Sequence, residues 1–386
     1  MQRIPVNERS DLARAAAEHG FEYQAVKGVT GWDERAYYHF SGRQIEEDLA
    51  TPAGELESIC FELVEQAAND ETILSRLGIA EPFWDYVADS WRNGEKNLCG
   101  RMDFSYDGQA SAKLLEYNAD TPTALYETAV FQWEWLQQAG KEGLIPDVCD
   151  QFNDVHEAIV QTFSLLGVEG LAHFACNQDI EDDKDTLEYM EECAREAGLE
   201  TRFLSMADIG LDDRGKFTDL DEKVISTLFK LYPWEWIMDE EFGLKVPASG
   251  IRFIEPPWKV ILSSKGMLPL LWKMFKGHPN LLPAYFDGDP SIAALEGTYV
   301  RKPLFSRQGA NIQVFREGVV QLRTDGPYGN GPYIVQECQP LPDHGGNFPL
   351  LGIWLVASRA AGMCIREGQT MITGPDAKVV PHVVLD

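Results

Sequence analysis

The chain has 386 residues, of which 62 are acidic and 33 are basic, so its formal net charge is −29 at pH 7. Nucleic acids and anionic membrane surfaces bind through basic patches, and this charge therefore argues against both as partners. The 44% hydrophobic content is enough for a sizeable core, and no apolar run is long enough to span a bilayer. With no N-terminal signal pattern either, we expect a globular, soluble and cytoplasmic protein.

The first hundred residues read as helical scaffold. Residues 7–19 look like a short helix that stops at Gly20. A long amphipathic stretch over residues 45–69 has apolar residues near helical spacing, and Pro52 is its expected kink. Another helix is predicted from Pro82 to Arg92, with aromatic residues that we interpret as core.

A charged β-hairpin follows, in which LCGRMDFSY and AKLLEYNA read as strands with an Asp-Gly turn between them. Side chains alternate across a strand, so Arg101 shares a face with Asp103, and Glu116 shares a face with Asn118. A simple antiparallel register places Asp103 opposite Glu116 and Arg101 opposite Asn118. The sequence therefore predicts that two carboxylates, an amide and a guanidinium converge.

This convergence indicates a metal beside an anion. Two close carboxylates repel unless a cation lies between them, and the oxygens of Asp103, Glu116 and Asn118 are ligands that Mg²⁺ accepts. Arg101 suggests a neighbouring anion, and metal plus arginine suits phosphoryl transfer. A solvated hairpin face with ordinary salt bridges is the alternative that this stretch alone leaves open.

Asp120-Thr121-Pro122 is typical of a helix start, and we expect Asp120 to cap a helix that runs through Trp135 toward Gly140. The N-terminus of that helix would be a second anion site at the same place.

Residues 151–250 alternate between helix and strand. A helix over residues 151–166, a strand from Leu171 to Cys176, a helix over residues 182–197 and a strand from Thr201 to Ser205 predict a βαβ unit and a parallel sheet. In the apolar segment that continues this pattern, Glu235 stands between two tryptophans. Its carboxylate could meet an amine, or it could be an interfacial glutamate among core aromatics.

The last third of the chain changes character. Residues 256–275 read as two short helices interrupted around Gly266 and Pro269, with Lys265 at the interruption. From about residue 298, short strands and glycine turns predict an antiparallel sheet region whose last strand is MITG, residues 371–374. No clean linker is present, and a domain boundary near residue 250 rests on composition.

This region also carries candidate nucleotide contacts. Lys302 precedes a loop through Ser306 and Gly309 that could cover phosphates, although an exposed hairpin with a polar turn is the alternative. Gln336 and Glu337 lie where a strand edge could meet an adenine ring, or where a strand simply ends. Standard phosphate-loop, dinucleotide, HExxH and GxSxG motifs are absent from the sequence, and its seven cysteines form no C-x-x-C pair.

The motifs GRMDF, LLEYNADTPTALYE, EPPWKVILSSKGMLPLLW, HPNLLPAYF, YVRKPLFSRQGAN, IVQE and IREGQTMIT together resemble the glutathionylspermidine synthase family over nearly the whole chain. Within that family the chain is similar to stand-alone acid–amine ligases. The resemblance implies an α/β fold with α+β elements, ATP-grasp-like with a permuted order, in which the metal residues precede the nucleotide lysines. Residues 1–250 would form a pre-ATP-grasp and substrate region with the metal hairpin, and residues 251–386 the nucleotide region.

The activity implied by the resemblance is an ATP- and Mg²⁺-dependent ligase that joins a carboxylate to an amine through an acyl-phosphate. The implied metal ligands are Asp103, Glu116 and Asn118. The implied ATP contacts are Lys265, Lys302, Gly309, Gln336, Glu337, Met371, Ile372 and Thr373. Arg101 would contact the transferred phosphoryl group or the acid, Arg366 would stabilise the acyl-phosphate, and Thr121 would touch the acid substrate.

The sequence departs from the family in two places. Bifunctional members carry an amidase domain before the synthetase part, and this chain starts in the synthetase part, so no hydrolytic activity is implied. The YPWEW segment, residues 232–236, matches the polyamine-binding region only loosely, so the resemblance implies a small-molecule or peptide acid and an amine, with polyamines among the candidates. A non-catalytic nucleotide-binding protein and a small-molecule kinase are the alternatives.

Overall fold

The computed structural model of the chain describes residues 1–9, 31–295 and 297–386. The predicted helix over residues 7–19 lies outside these residues beyond Arg9. The α-helices are α1 (Thr51–Ala67), α2 (Glu71–Arg76), α3 (Trp84–Arg92), α4 (Gln132–Lys141), α5 (Val155–Leu165), α6 (Glu181–Glu196), α7 (Trp234–Asp239), α8 (Val246–Ser249), α9 (Val260–Ser263) and α10 (Met267–Met274). Segments of π-helix cover Gln44–Ala50 and Glu127–Phe131, and 3₁₀ turns cover Glu81–Phe83, Met206–Asp208, Gly243–Lys245, Pro257–Lys259 and Pro290–Ala294.

The first strands along the chain are β1 (Gln2–Pro5), β2 (Ala36–Phe40), β3 (Cys99–Ser105), β4 (Lys113–Asn118), β5 (Leu171–Cys176), β6 (Glu200–Ser205), β7 (Gly210–Leu211), β8 (Phe217–Thr218), β9 (Thr227–Leu231) and β10 (Arg252–Ile254). The later strands are β11 (Ala284–Phe286), β12 (Thr298–Pro303), β13 (Gln313–Arg316), β14 (Val319–Arg323), β15 (Tyr333–Glu337), β16 (Phe348–Val356), β17 (Arg359–Gly368), β18 (Lys378–Val380) and β19 (His382–Val384). Their sheets have the orders β1-β2-β19, β10-β9-β5-β6, β11-β15-β12-β13-β14, β18-β17-β16-β3-β4 and β7-β8.

The predicted hairpin register is confirmed. Strands β3 and β4 pair antiparallel with Arg101 opposite Asn118 and Asp103 opposite Glu116, and the register shifts by a bulge only after Asp103. On its other side β3 pairs with β16, which comes from the far end of the chain. This sheet therefore combines strands from both sides of residue 250, and the two-region division of the chain stays a prediction.

The predicted βαβ unit is also confirmed. Strand β5 pairs in parallel with β6 and with β9, and β9 pairs in parallel with β10. Helix α6 connects β5 to β6 and packs against both. The apolar segment that continues the pattern ends in β9, and Pro233 then precedes α7, which carries Glu235.

The C-terminal third forms antiparallel ladders, as predicted, but MITG is not a strand. Residues 371–374 belong to a loop between β17 and β18, where the Thr370 hydroxyl donates to the Ile372 carbonyl at 2.8 Å. This local bond occupies the Ile372 carbonyl, and Pro375 has no N–H to donate. The segment therefore lacks hydrogen bonds that a strand ladder would need. The predicted α/β fold class is confirmed: in the described residues β10-β9-β5-β6 is parallel, β1-β2-β19 is mixed and the other sheets are antiparallel.

Helix α1 supports the sheet β18-β17-β16-β3-β4, which contains the hairpin. It packs against β16, β17 and α10, and its Leu56 and Leu63 lie in the main hydrophobic core with Ile353 and Met363 of the sheet. Burying a side chain of this size stabilises a fold by roughly 1.5–3 kcal/mol. No helix within the described residues has the length and apolar character that crossing a membrane requires. The cytoplasmic location stays a prediction.

Candidate active site

An open cavity of about 310 Å³ lies where the hairpin β3–β4, the loop after β12, strand β15, the loop after β17 and helix α7 meet. Every residue that the sequence named for metal, nucleotide, catalysis or substrate lines this cavity. They are Arg101, Asp103, Glu116, Asn118, Thr121, Glu235, Lys265, Lys302, Gly309, Gln336, Glu337, Arg366, Met371, Ile372 and Thr373. The structure thus brings the predicted residues together, and their individual roles stay predictions.

The fully buried carboxylate of Asp103 is the centre of the hairpin face. Arg101 donates to it through Nε at 2.8 Å and through Nη2 at 3.1 Å. Asn118 Nδ2 and Arg366 Nη2 both donate to Asp103 Oδ2, at 2.8 and 2.6 Å. Asp103 is therefore the anionic partner of Arg366, and a buried carboxylate with this many donors is held in one orientation.

Lysines hold the second hairpin carboxylate. Lys265 Nζ lies 3.2 Å from Glu116 Oε2 and donates to the Ser306 carbonyl at 3.0 Å. Burial raises the pKa of Glu116, but the charges of Lys265, Lys302 and Arg366 outweigh this, and its pKa lies below the ordinary value. Burial lowers the pKa of Lys302 to about 8, although Glu116 opposes the shift.

The side chains around the hairpin carboxylates carry a net positive charge. Within the described residues, Arg101, Lys265, Lys302 and Arg366 form ion pairs or hydrogen bonds around two carboxylates, those of Asp103 and Glu116. A buried excess of cations is unfavourable unless an anion joins it. The arrangement is therefore suited to a ligand with several negative charges.

Gly352 makes room for the buried guanidinium. It lies opposite Asp103 in the register of β16 with β3. A Cβ at this position would come within 2.6 Å of Arg101 Cδ and 2.8 Å of Cys364 Sγ. Sequence reasoning missed Gly352 because a glycine in an apolar strand signals a close approach without naming the partner.

The loop after β12 closes one side of the cavity. Gly309 has φ +69°, and a Cβ there would lie 2.6 Å from the Thr373 carbonyl oxygen. Only glycine therefore allows this loop to contact the loop after β17. Thr324 Oγ1 donates to the Gly309 carbonyl and accepts from Ile312 N, which fixes the loop from its far side.

Gln336 and Glu337 lie in the cavity wall, but not on a strand edge. Strand β15 pairs with β11 on one side and β12 on the other, and Glu337 N donates to the Pro283 carbonyl at 2.8 Å. Of the two interpretations of the sequence, the strand edge is wrong because the three-residue strand β11 covers it. The strand end is confirmed, because β15 ends at Glu337. The Gln336 side chain accepts from Lys302 Nζ at 2.8 Å, so it positions that lysine.

The predicted helix start at Asp120 is also wrong. Helical structure begins only at residue 125, after Ala124 with φ 65°. The Asp120 carboxylate instead accepts from Trp234 N at 2.8 Å, at the start of α7, and from Lys230 Nζ at 2.5 Å. A lysine in the apolar strand β9 was the signal of a buried acidic partner, and its partner lies 110 positions away.

Another part of the cavity wall is acidic and aromatic. Asp183, Glu235, Trp236 and Tyr328 line it, together with Arg307 from the loop after β12. Arg307 Nη2 lies 3.3 Å from Asp183 Oδ1, and its guanidinium lies 5.6 Å from the centre of the Trp236 ring. Arg307 therefore brings the loop after β12 into contact with α6 and α7.

The hairpin donors fit Mg²⁺ by their chemistry. Mg²⁺ usually takes one or two carboxylates and completes its shell with phosphate oxygens and water, and Asp103 with Glu116 supplies two carboxylates beside the Asn118 amide. In the described part of the chain, no three His, Cys, Asp or Glu side chains are grouped to hold a metal. Asp103 already accepts from three side chains, so a metal would have to replace at least one of these donors.

Comparison with known proteins decides the family. The model of the family described as glutathionylspermidine synthase preATP-grasp matches residues 3–385. The chain belongs to the glutathionylspermidine synthase family. It is 36% identical over 388 residues to a Haemophilus influenzae protein described as "Putative acid--amine ligase", with 97% of each chain covered.

Other members of the glutathionylspermidine synthase family are longer. The bifunctional glutathionylspermidine synthetase/amidase of Escherichia coli is 25% identical, with 94% of this chain but 61% of that protein covered. The trypanothione synthetase of Crithidia fasciculata is 27% identical, with 84% of this chain and 53% of that protein covered. These relatives are ligases and synthetases, and this family member is accordingly a carbon–nitrogen ligase.

A solved structure supports the fold. The apo form of a glutathione synthetase-like effector from Globodera pallida aligns with 98% of this chain and 98% of its own, with a TM-score of 0.57 and 11% identity. At that identity the likeness concerns the fold alone. It agrees with the predicted ATP-grasp-like class.

Proposed function

We propose that the chain is an ATP- and Mg²⁺-dependent acid–amine ligase that forms an amide through an acyl-phosphate. The observation that carries the proposal is the excess of cations around the hairpin carboxylates, in the wall of an open cavity. A triphosphate bound with a divalent metal supplies the negative charge that this part of the cavity lacks. The acidic part of the cavity wall, with Asp183 and Glu235, suits an amine.

In this proposal Lys265 and Lys302 hold the phosphates, under the loop that Gly309 allows to close. Mg²⁺, held by Asp103, Glu116 and Asn118, would neutralise charge that develops on the phosphate oxygens. The adenine would lie against Gln336, Glu337 and the loop of Met371, Ile372 and Thr373. We assign these contacts to residues 251–386 and the metal hairpin with the substrate contacts to residues 1–250.

The reaction would have two steps. A carboxylate oxygen of the acid, beside Thr121 and Arg101, attacks the terminal phosphorus of ATP, and ADP leaves. The amine nitrogen then attacks the acyl carbon, the C–N bond forms, and inorganic phosphate leaves. Arg366 would stabilise the acyl-phosphate and the tetrahedral species, because its guanidinium is fixed before the charge develops. Glu235 would lie near the amine.

The substrates of the relatives suggest where to start. Their names include glutathionylspermidine and trypanothione synthetases, so we propose a peptide acid and an amine, with glutathione and spermidine as the first members of a panel. No residue of this cavity by itself implies glutathione or spermidine as the substrate.

The test measures ADP release by the purified protein with ATP and Mg²⁺, against peptide acids crossed with amines, together with product mass. We expect release that depends on one acid and one amine, and a new mass equal to their sum less water. ADP release without dependence on an amine would indicate a kinase. Nucleotide binding without release for any pair would indicate a non-catalytic protein.

A further inference from the structure

The second residue of α7, Glu235, presents a carboxylate to the cavity. Among the described residues, it forms no salt bridge and no side-chain hydrogen bond to another residue, although it is only partly exposed. A half-buried carboxylate without a partner is costly to keep ionised. A ligand that supplies a proton or a positive charge would remove this cost.

The neighbouring carboxylates are already engaged. Asp120 accepts from Lys230 Nζ and from Trp234 N, and it is buried. Asp183 pairs with Arg307. In the acidic part of the cavity wall, within the part of the chain that the structure describes, Glu235 is therefore the carboxylate available to a substrate.

The surroundings of Glu235 suit proton transfer. Burial raises its pKa to about 7, and the charge of Asp120 adds to the shift, while Lys230 and Arg307 oppose it. Tyr328 also lines the cavity; burial raises the pKa of its phenol, and the charge of Glu235 adds to that shift while Arg307 opposes it. A base whose pKa lies near the working pH can both accept a proton and release it.

We propose that Glu235 is the general base that takes a proton from the ammonium group of the amine substrate. The N–H bond breaks and its proton moves to a Glu235 carboxylate oxygen, which leaves a neutral amine. The nitrogen lone pair then forms the C–N bond to the acyl carbon, the bond from that carbon to phosphate oxygen breaks, and the second proton that the nitrogen loses leaves with the phosphate. The inference rests on the proposed function and names its amine as a primary alkylammonium ion.

Hydroxylamine separates this step from the rest of the reaction. It is largely uncharged near neutral pH, so it can attack an acyl-phosphate without a base, whereas an alkylammonium ion must first lose a proton. The experiment compares hydroxamate formation from hydroxylamine with amide formation from spermidine, using glutathione and the other acids of the panel. The enzymes are the unchanged chain, Glu235→Gln and the control Glu241→Gln, whose position is exposed.

We expect Glu235→Gln to keep hydroxamate formation close to that of the unchanged chain and to lose roughly 10²–10⁴-fold in amide formation. Its remaining amide formation should rise with pH as free amine accumulates, whereas Glu241→Gln should behave as the unchanged chain does.

Equal amide formation by Glu235→Gln and the unchanged chain would overturn the inference and leave the ligase standing. An equal loss of both products would also overturn it, since it would show a general effect on the site. Absence of hydroxamate from the unchanged chain with every acid would instead contradict the proposed acyl-phosphate.

Discussion

Arg366 Nη2 donates a 2.6 Å hydrogen bond to Oδ2 of Asp103, although the two residues are 263 positions apart in the chain. The contact joins β17 to the hairpin. It adds a third donor side chain to the Asp103 carboxylate, which also accepts from Arg101 and Asn118. The nucleotide site that we propose therefore depends on a tertiary contact between two parts of the chain that are far apart in sequence.

This contact makes Asp103→Asn the sharpest test of the hairpin. Asparagine keeps the shape of the side chain but removes the charge that binds two guanidinium groups and, in our proposal, the metal. We expect ATP turnover to fall by roughly 10²–10³-fold, measured as ADP release. Asp107→Asn, in the exposed turn of the same hairpin, is the control and should retain turnover. Near-normal turnover in Asp103→Asn would refute the metal assignment.

Alanine is a poorer choice at position 103. Asparagine and alanine both leave Arg101, which is 2% exposed, without an acidic partner, but alanine also removes the acceptor oxygen and the volume that asparagine keeps. Breaking a buried pair in this way costs about 3–5 kcal/mol. Turnover of either variant is therefore measured on protein that its urea unfolding midpoint shows to be folded.

Gly309→Ala tests the contact between the two loops. Its φ of +69° and the Thr373 carbonyl 2.6 Å from the added Cβ make a side chain unfavourable. The left-handed conformation alone costs an L residue roughly 1–2 kcal/mol, so we expect KM for ATP to rise about 5- to 30-fold. Gly331→Ala has no atom within 4 Å of the new Cβ and should leave KM unchanged. Equal KM values for both variants would show that the loop does not cover ATP.

The buried pair of Asp120 and Lys230 should dominate the local stability around α7. Both side chains are almost inaccessible, at 3% and 0% exposure. We expect Asp120→Asn to lower the free energy of unfolding by about 3 kcal/mol or more, because Lys230 then lacks an anion. The midpoint of urea unfolding measures this loss.

The double variant Asp120→Val with Lys230→Met is the matched control, because replacing both charges with apolar groups avoids an unpaired buried ion. It should be more stable than Asp120→Asn. The reverse order would mean that the cap on Trp234 N, and not the ion pair, holds α7 in place.

The raised pKa of Glu235 also has a consequence for stability. Its folded pKa of about 7 exceeds the ordinary value of 4.5, so the folded state binds more protons than the unfolded state between these values. This group therefore lowers stability as pH rises through that window, and its full cost is present above pH 7. We expect Glu235→Gln to stabilise the protein at pH 8 and to have little effect at pH 4. A variant that stabilises equally at both values would contradict the assigned environment.

Much of the site could be predicted where a local pattern decides the structure. Alternation along two strands and one Asp-Gly turn were enough to place Asp103 opposite Glu116 and Arg101 opposite Asn118. The break between two short helices likewise placed Lys265 at a turn, where its side chain reaches the hairpin.

Long-range contacts decided the rest. Asp120 has the local signature of a helix cap, but a buried lysine in a distant strand and the start of α7 compete for its carboxylate. The edge expected at Gln336 is covered by β11, whose three residues are too few for a sequence signal. Gly352 signals a close approach, but its partner Arg101 is visible only once β16 lies beside β3.

The central claim is that ATP activates the carboxylate of the acid. Its most direct test uses an acid of the active pair labelled with ¹⁸O in the carboxylate, followed by mass analysis of the inorganic phosphate. Acyl-phosphate formation predicts that one labelled oxygen per amide formed appears in phosphate, because the carboxylate oxygen that attacks phosphorus leaves with it. Label retained entirely in the product and absent from phosphate would contradict the account.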